Sequence, residues 1–338
     1  MKGESSSVVL VLADTTDPWA SLVHAELCRR GLDVLLIPRA ELLDRIRLNW
    51  PMAAGSPTVA GTMVIDGRSF ECGALRGVFV QWVLPLPLLL DDLSVQDRDY
   101  VLRETTAAWI AFLNSLPCPV INRPVPGGRP ALLGGSAVSA QIARDCGFDL
   151  PAARYTSSEA DAVLQFAAWN EQAYLKALGS AEPGVVLSRQ NGIEHIRQVM
   201  ERHAVSLQAI PQGQRMTVYV VGGDAAATIL HADEESSQRT ADLPVFPTGR
   251  CVDLVRALGL SFAECHVVVA ADGRICCLDV NGAPNYWRCT RAVQRRLVQR
   301  LADCLSEERS MAFYDSARGT HGGSGAGQRL CQTGGPER

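Results

Sequence analysis

The stretch ECHVVVAADGRICCLDVN, residues 264–281, constrains the fold of this chain more than any other. Asp272-Gly273 is a dipeptide that favours the positive φ values of a tight hairpin turn. A two-residue turn pairs Ala271 with Arg274. Counting back along both strands then sets Val268 against Cys277, His266 against Asp279 and Glu264 against Asn281. Side chains alternate between the faces of a strand. One face therefore carries Cys265, Val267, Val269, Cys276, Leu278 and Val280, all apolar, and is read as core. The other gathers Glu264, His266, Asp279 and Asn281, with opposed Cβ atoms about 4.5–5.5 Å apart. Two carboxylates and an amide oxygen suit a hard cation such as Mg2+, whereas an imidazole shifts the preference toward Mn2+ or Zn2+. The hairpin alone leaves a solvated sheet face as the other reading, and a bulge in either strand would shift the count.

The bulk numbers exclude several classes. The chain has 338 residues, which suggests two or three packed lobes. Its formal net charge of -4 gives no footing for a nucleic-acid partner. No run of about 18 apolar residues marks a membrane span. The start, MKGESSSVVLVLAD, lacks the layout of a signal peptide, so a cytoplasmic protein is expected. The 11 cysteines form no CxxC pair and are read as small buried hydrophobes rather than as a disulfide framework.

Along the chain, SVVLVLAD reads as a strand and DVLLI as the next. Between them lies a helix capped by Thr16 or Asp17, with Pro18 in its first turn. This β-α-β start implies a parallel pair, and the turn lacks the GxGxxG of a dinucleotide site. TMVIDGRSFE is a hairpin with Asp66-Gly67 at its turn, GVFVQWV a buried strand and 95–116 a long helix. The Pro/Gly-rich RPVPGGRPALLGG is a candidate boundary. Beyond it, helices near 136–146, 157–169, 193–202, 248–259 and 286–305 mix with strands at 173–178, 205–210, 216–221, 226–232, 263–270 and 274–280. This is an α+β pattern following an α/β start.

The pieces PVINRP, CGFDLPAARYTS, AYLKALGSAEPGVV, VSLQAIPQGQRMTVYVVGG, SSQRTAD and the final hairpin with its NGAPNYW sequel occur in one order from about Asn114 to Leu305. In that order they resemble the ATP-grasp ligases, specifically the RimK-like carboxylate–amine ligases. The resemblance implies a Rossmann-like lobe over 1–123 and a two-lobed ATP-grasp domain over 124–310, while the stretch 311–338, Gly-rich with almost nothing to bury, is read as a disordered tail. It implies ATP and Mg2+ as cofactors, and ligation of a small-molecule or peptide carboxylate to an amine through an acyl phosphate. It also implies roles. Lys176 would hold the ATP phosphates, Gln208, Ala209 and Ile210 would form the hinge against adenine, and Arg239 would face the transferred phosphoryl group. Asp279 and Asn281 would ligate magnesium.

The departures are as informative. Ser136 stands where a second ATP-binding lysine is implied, Thr217 where an arginine is, Glu182 where an arginine often is, and His266 where a metal-binding aspartate is. Two compensations are expected: Arg215 shares a strand face with Thr217 if that strand extends to it, and Glu264 replaces the missing carboxylate. The competing expectation is a catalytically degenerate ATP-grasp protein that serves as a binding or partner subunit, in a homo-oligomer or with a protein partner.

Overall fold

The computed structural model describes residues 8–50, 61–81, 93–124, 137–180, 182, 184–231, 238–240 and 245–306. Ser136, most of the Pro/Gly-rich boundary, much of the loop before residue 250 and the 311–338 tail lie outside them.

The chain opens with β1 (Val8–Leu12), α1 (Pro18–Arg29), β2 (Asp33–Ile37), α2 (Leu42–Arg45), β3 (Ile46–Asn49), β4 (Thr62–Ile65), β5 (Arg68–Glu71), β6 (Leu75–Val80), α3 (Val95–Ser115) and β7 (Val120–Ile121). Every residue of β1, VVLVL, is buried, as a central parallel strand covered on both faces requires. It lies inside a parallel sheet of order β2-β1-β6-β7. Asp17 caps α1, its carboxylate accepting from Ala20 N at 2.8 Å, with Pro18 in the first turn. The β4–β5 hairpin turns on Asp66 (φ 50°) and Gly67 (φ 77°), both positive as its tight turn demands.

The second part comprises α4 (Ala137–Asp145), β8 (Ala153–Thr156), α5 (Glu159–Ala168), β9 (Ala173–Ala177), β10 (Val185–Leu187), α6 (Gly192–Met200), β11 (Val205–Ala209), β12 (Gln214–Val221), β13 (Asp224–His231), β14 (Gln238–Thr240), α7 (Val245–Ala257), β15 (Phe262–Val269), β16 (Ile275–Asn281) and α8 (Arg291–Ser306). Two sheets result, of order β10-β9-β11-β8 and β14-β13-β12-β15-β16. The smaller buries Ala173, Leu175, Val205 and Leu207 against Phe166 of α5 and Ile196 of α6. The larger buries Val218, Ala263, Cys265, Val267 and Val280 against Leu254 and Val255 of α7 and Ala143 of α4.

The opposite face of the larger sheet is divided along its length. At one end Tyr219, Val221, Ile229 and Phe262 pack with Trp19 of α1 and with Leu297 and Leu301 of α8, so one core continues into the N-terminal sheet. At the other end Val268, Cys276 and Leu278 pack against Tyr174 of the smaller sheet. Between these apolar zones lies a polar one.

The ten cysteines among the described residues are free, and seven of them are buried. No helix among the described residues is long and apolar enough to cross a membrane.

Candidate functional site

The polar zone is built by strand alternation. Tyr174 and Lys176 sit two apart on β9, so both face away from the α5–α6 core and toward β16. Their cross-strand partners on β11, Gln208 and Ser206, share that face. From the larger sheet come Thr217 and Arg215 of β12, His231 of β13, Glu264 and His266 of β15, and Asp279 and Asn281 of β16. Because β12 begins at Gln214, Arg215 does lie on the strand face that carries Thr217.

The hairpin behaves in an instructive way. Its turn is one residue longer than the sequence reading sets it. Ala270 N donates to Arg274 O at 2.9 Å, and Val269 pairs with Ile275. Gly273 takes the left-handed position at φ 82°, closing a three-residue loop. The count is therefore off by one near the turn: Val268 faces Cys276, not Cys277. Cys276 and Leu278 consequently belong to the cleft side, with Val268, Tyr174 and Ile210, and not to the core face. A bulge between His266 and Val267 then restores the count, and His266 faces Asp279 and Glu264 faces Asn281 as expected.

Two networks fill the site. In the first, Lys176 Nζ donates to Asp279 Oδ2 at 3.0 Å and Tyr174 OH donates to the same oxygen at 3.1 Å. Both ends of the ion pair are fully buried. A buried pair of this kind survives because each charge neutralises the other. The second carboxylate oxygen, Asp279 Oδ1, is buried without a partner. Burial, reinforced by the charges of Asp279 and Glu264, pushes the Tyr174 phenol well above its ordinary range, so it is a donor.

In the second network Glu264 is buried, and desolvation by itself would raise its carboxyl. The neighbouring His266 imidazole, together with hydrogen bonds from the Asn281 amide and Asn285 N–H, outweighs that and holds it below the usual range. Asn281 Nδ2 donates to Glu264 Oε1 at 3.0 Å, while Asn281 Oδ1 accepts from Ala283 N at 3.0 Å. His266 Nε2 stands 3.5 Å from Glu264 Oε1, and its Nδ1 is 3.1 Å from Thr217 Oγ1. Thr217 Oγ1 is in turn 2.8 Å from His231 Nε2. Pro284 O, in the loop after β16, accepts from Trp19 Nε1 at 2.8 Å, which ties that loop to the N-terminal part.

A cavity of about 390 Å³ opens beside the first network, lined by α4, β8, Gln208 and residues 277–280. Gln208 Oε1, like Asp279 Oδ1, is buried and unpartnered. Buried polar atoms are nearly always satisfied, so two open acceptors on one cavity mark a place for a donor or a cation.

The donor set can be tested against a metal. Among the described residues no group of three or more His, Cys, Asp and Glu is placed to hold one. Asn281 and His266 are turned onto Glu264, Ala283 and Thr217. Asp279 keeps one carboxylate oxygen open, while both Glu264 oxygens accept hydrogen bonds, from Asn281 and from Asn285 N–H; Mg2+ bound with a polyphosphate needs only one or two carboxylates, the remainder of its shell being phosphate and water. The residues fit a nucleotide-bound hard cation and do not form an all-protein centre.

The other expected residues are spread more widely. Ala209 N donates to Ala152 O at 2.9 Å, and Ile210 packs beside Tyr174. Glu182 is exposed. Arg239 pairs with Leu230 in β14, and its side chain lies outside the described residues. The sequence reading assigns no site role to Tyr174, His231, Trp19 or Asn285. Tyr174 had a signal, since it alternates with Lys176 in AYLK.

No family model and no curated protein matches the sequence. Solved structures do. The ATP-grasp ligase PsnB, in complex with a minimal precursor, Mg and ADP, is 18% identical, with a TM-score of 0.64 over 90% of this chain and 98% of that one. The macrocyclase MdnC from Microcystis aeruginosa, bound with its precursor peptide MdnA, is 18% identical with a TM-score of 0.60, over 88% and 99% of the two chains. A RimK domain ATP-grasp protein from Sphaerobacter thermophilus is 17% identical with a TM-score of 0.52, over 87% and 98%. At these identities the likeness is one of fold. With a parallel N-terminal lobe, two facing α+β sheets and a polar cleft between them, the chain has the ATP-grasp fold.

Proposed function

We propose that the protein is an ATP-dependent ligase that joins a carboxylate to an amine, with a peptide supplying at least one of the two groups. The observation that carries this is Lys176, a fully buried lysine aimed across the cleft at Asp279 of the facing sheet. A lysine is rarely buried in a strand without a task for its charge. ATP would supply the phosphoryl group that activates the carboxylate, and amine attack would then release phosphate and a proton. In this reading Lys176 would hold phosphate in place of Asp279, and Asp279 and Glu264 would hold magnesium. The peptide class is supported by the precursor peptides bound to PsnB and MdnC.

The test is incubation with ATP, magnesium and acidic, lysine-containing peptides, reading ADP release and a product lighter by one water. Lys176→Met should abolish both. A second reading, a non-catalytic peptide-binding subunit, is favoured by two observations: Lys176 and Asp279 already pair with each other, and Thr217 stands where the family resemblance implies a cation. Peptide binding with no ADP above the no-peptide control would support it against the ligase.

A further inference from the structure

Lys176 is paired with Asp279 until phosphate takes its place, Thr217 carries no charge and Glu182 is exposed. A further cation on the cleft would favour a polyphosphate. The cavity beside Asp279 has one. Arg144, in the last turn of α4, lines it together with Gln208 and Asp279. Its guanidinium makes no hydrogen bond or ion pair among the described residues. A favourable interaction with the helix dipole accounts for a basic residue at a helix C-terminus. It does not account for the choice of face. Ala137, Gln141 and Arg144 recur at i, i+4 and i+7, the helical stripe that borders the cavity.

The rest of the cavity states what an occupant must carry. Gln208 is 5% exposed and Asp279 2%, and each ends in an unpartnered oxygen. Acceptors without partners call for N–H donors or a cation, and the lone guanidinium calls for an anion. A nucleotide with an amino-bearing base offers donors and negative charge in one molecule. We infer that Arg144 is the cavity's anion-binding residue and meets the phosphates of a bound nucleotide, replacing a cation that Ser136 and Thr217 no longer supply. The inference rests on the nucleotide-binding part of the proposed function.

Titration calorimetry with adenosine, ADP and ATP, each with and without Mg2+, tests it on the full chain and on Arg144→Lys and Arg144→Glu. The ligand-free melting points of the unaltered protein and Arg144→Lys should agree, because Arg144 is exposed and makes no hydrogen bond or ion pair among the described residues, and Arg144→Glu should fall only by the small effect of a reversed charge at a helix C-terminus. A charge-assisted contact at a half-open site corresponds to about five- to tenfold in affinity. Arg144→Glu should therefore weaken ATP by at least that factor and ADP by less. Adenosine should change less than about twofold, and Arg144→Lys should keep most of the ATP affinity. Equal losses for adenosine and ATP, or wild-type ATP affinity in Arg144→Glu, would overturn the inference and leave the nucleotide site standing. No binding of any of the three ligands to the unaltered protein would overturn both.

Discussion

Asp279 is the residue on which the site turns. It receives Lys176 and Tyr174 on one oxygen and keeps the other open. Removing one partner of a buried pair strands the other charge, at about 3–5 kcal/mol. Lys176→Met should lose that much in urea unfolding, and Lys176→Met/Asp279→Leu should recover most of it; additive losses in the double variant would show that the two charges are not coupled. His231 gives a pH signature. Burial first, then the charges of His266, Arg215 and Arg288, lower its imidazole from 6.5 to about 4. The unfolded chain takes up a proton in that interval and the folded chain does not, so this contribution to stability is intact above 6.5 and declines as the pH falls toward about 4. Melting curves of His231→Asn should show a shallower decline over that window, and an unchanged slope would assign the effect elsewhere. At this scale Asp279, Asn281, Glu264 and His266 were legible because a strand's alternation fixes which side chains meet. Their partners were not: whether Lys176 meets a phosphate or a carboxylate depends on a second sheet, about which local sequence is silent.

The β15–β16 hairpin shows how far pattern reaches at the level of an element. Asp272-Gly273 marked the turn, and the register of the polar pairs was counted correctly beyond the bulge. The error sat near the turn, where a loop of two residues and one of three share the same Gly signal and differ by one in register. The bulge cancels it before His266, so the polar pairs are counted correctly through an incorrect turn. Helix α8 was read as one helix from 286 to 305. The structure breaks it into a 3-10 turn at Tyr286–Arg288 and a helix from Arg291. Its docking has a sharp requirement. A Cβ on Gly77 of β6 would lie 2.7 Å from Leu305 O, a backbone atom that cannot step aside. Gly77→Ala should therefore destabilise the protein by about 1–3 kcal/mol as overpacking does, read as a lower denaturation midpoint. A neutral outcome would mean that α8 does not rest on β6.

For the whole molecule, the α/β start and α+β continuation were legible from periodicity, and the ATP-grasp fold from the order of short motifs. The way the two parts are joined was not, because it depends on single long-range contacts. Asn122 is one of them. Its side chain donates to Phe262 O at 2.7 Å and Gly282 O at 2.8 Å, and accepts from Ser261 N at 2.7 Å and Phe262 N at 2.8 Å. It thus ties the end of the N-terminal sheet to both strands of the site hairpin. Asn122→Ala should cost about 2–4 kcal/mol, since several buried backbone groups lose their partner together, and should loosen nucleotide binding alongside. A destabilised variant with unchanged affinity would separate the junction from the site.

The central claim is that the cleft between the two sheets holds a magnesium–nucleotide complex on Lys176 and Asp279. Its most direct test is thermal unfolding with and without Mg2+ plus a non-hydrolysable ATP analogue, in the unaltered protein and in Asp279→Asn. Ligand at about 100 times Kd adds roughly 2.7 kcal/mol, about 3–5 °C for a chain of 338 residues. A shift of that order is expected, requiring magnesium and losing its magnesium dependence in Asp279→Asn. No shift at millimolar nucleotide, or the same shift in both proteins whether or not magnesium is present, would contradict it.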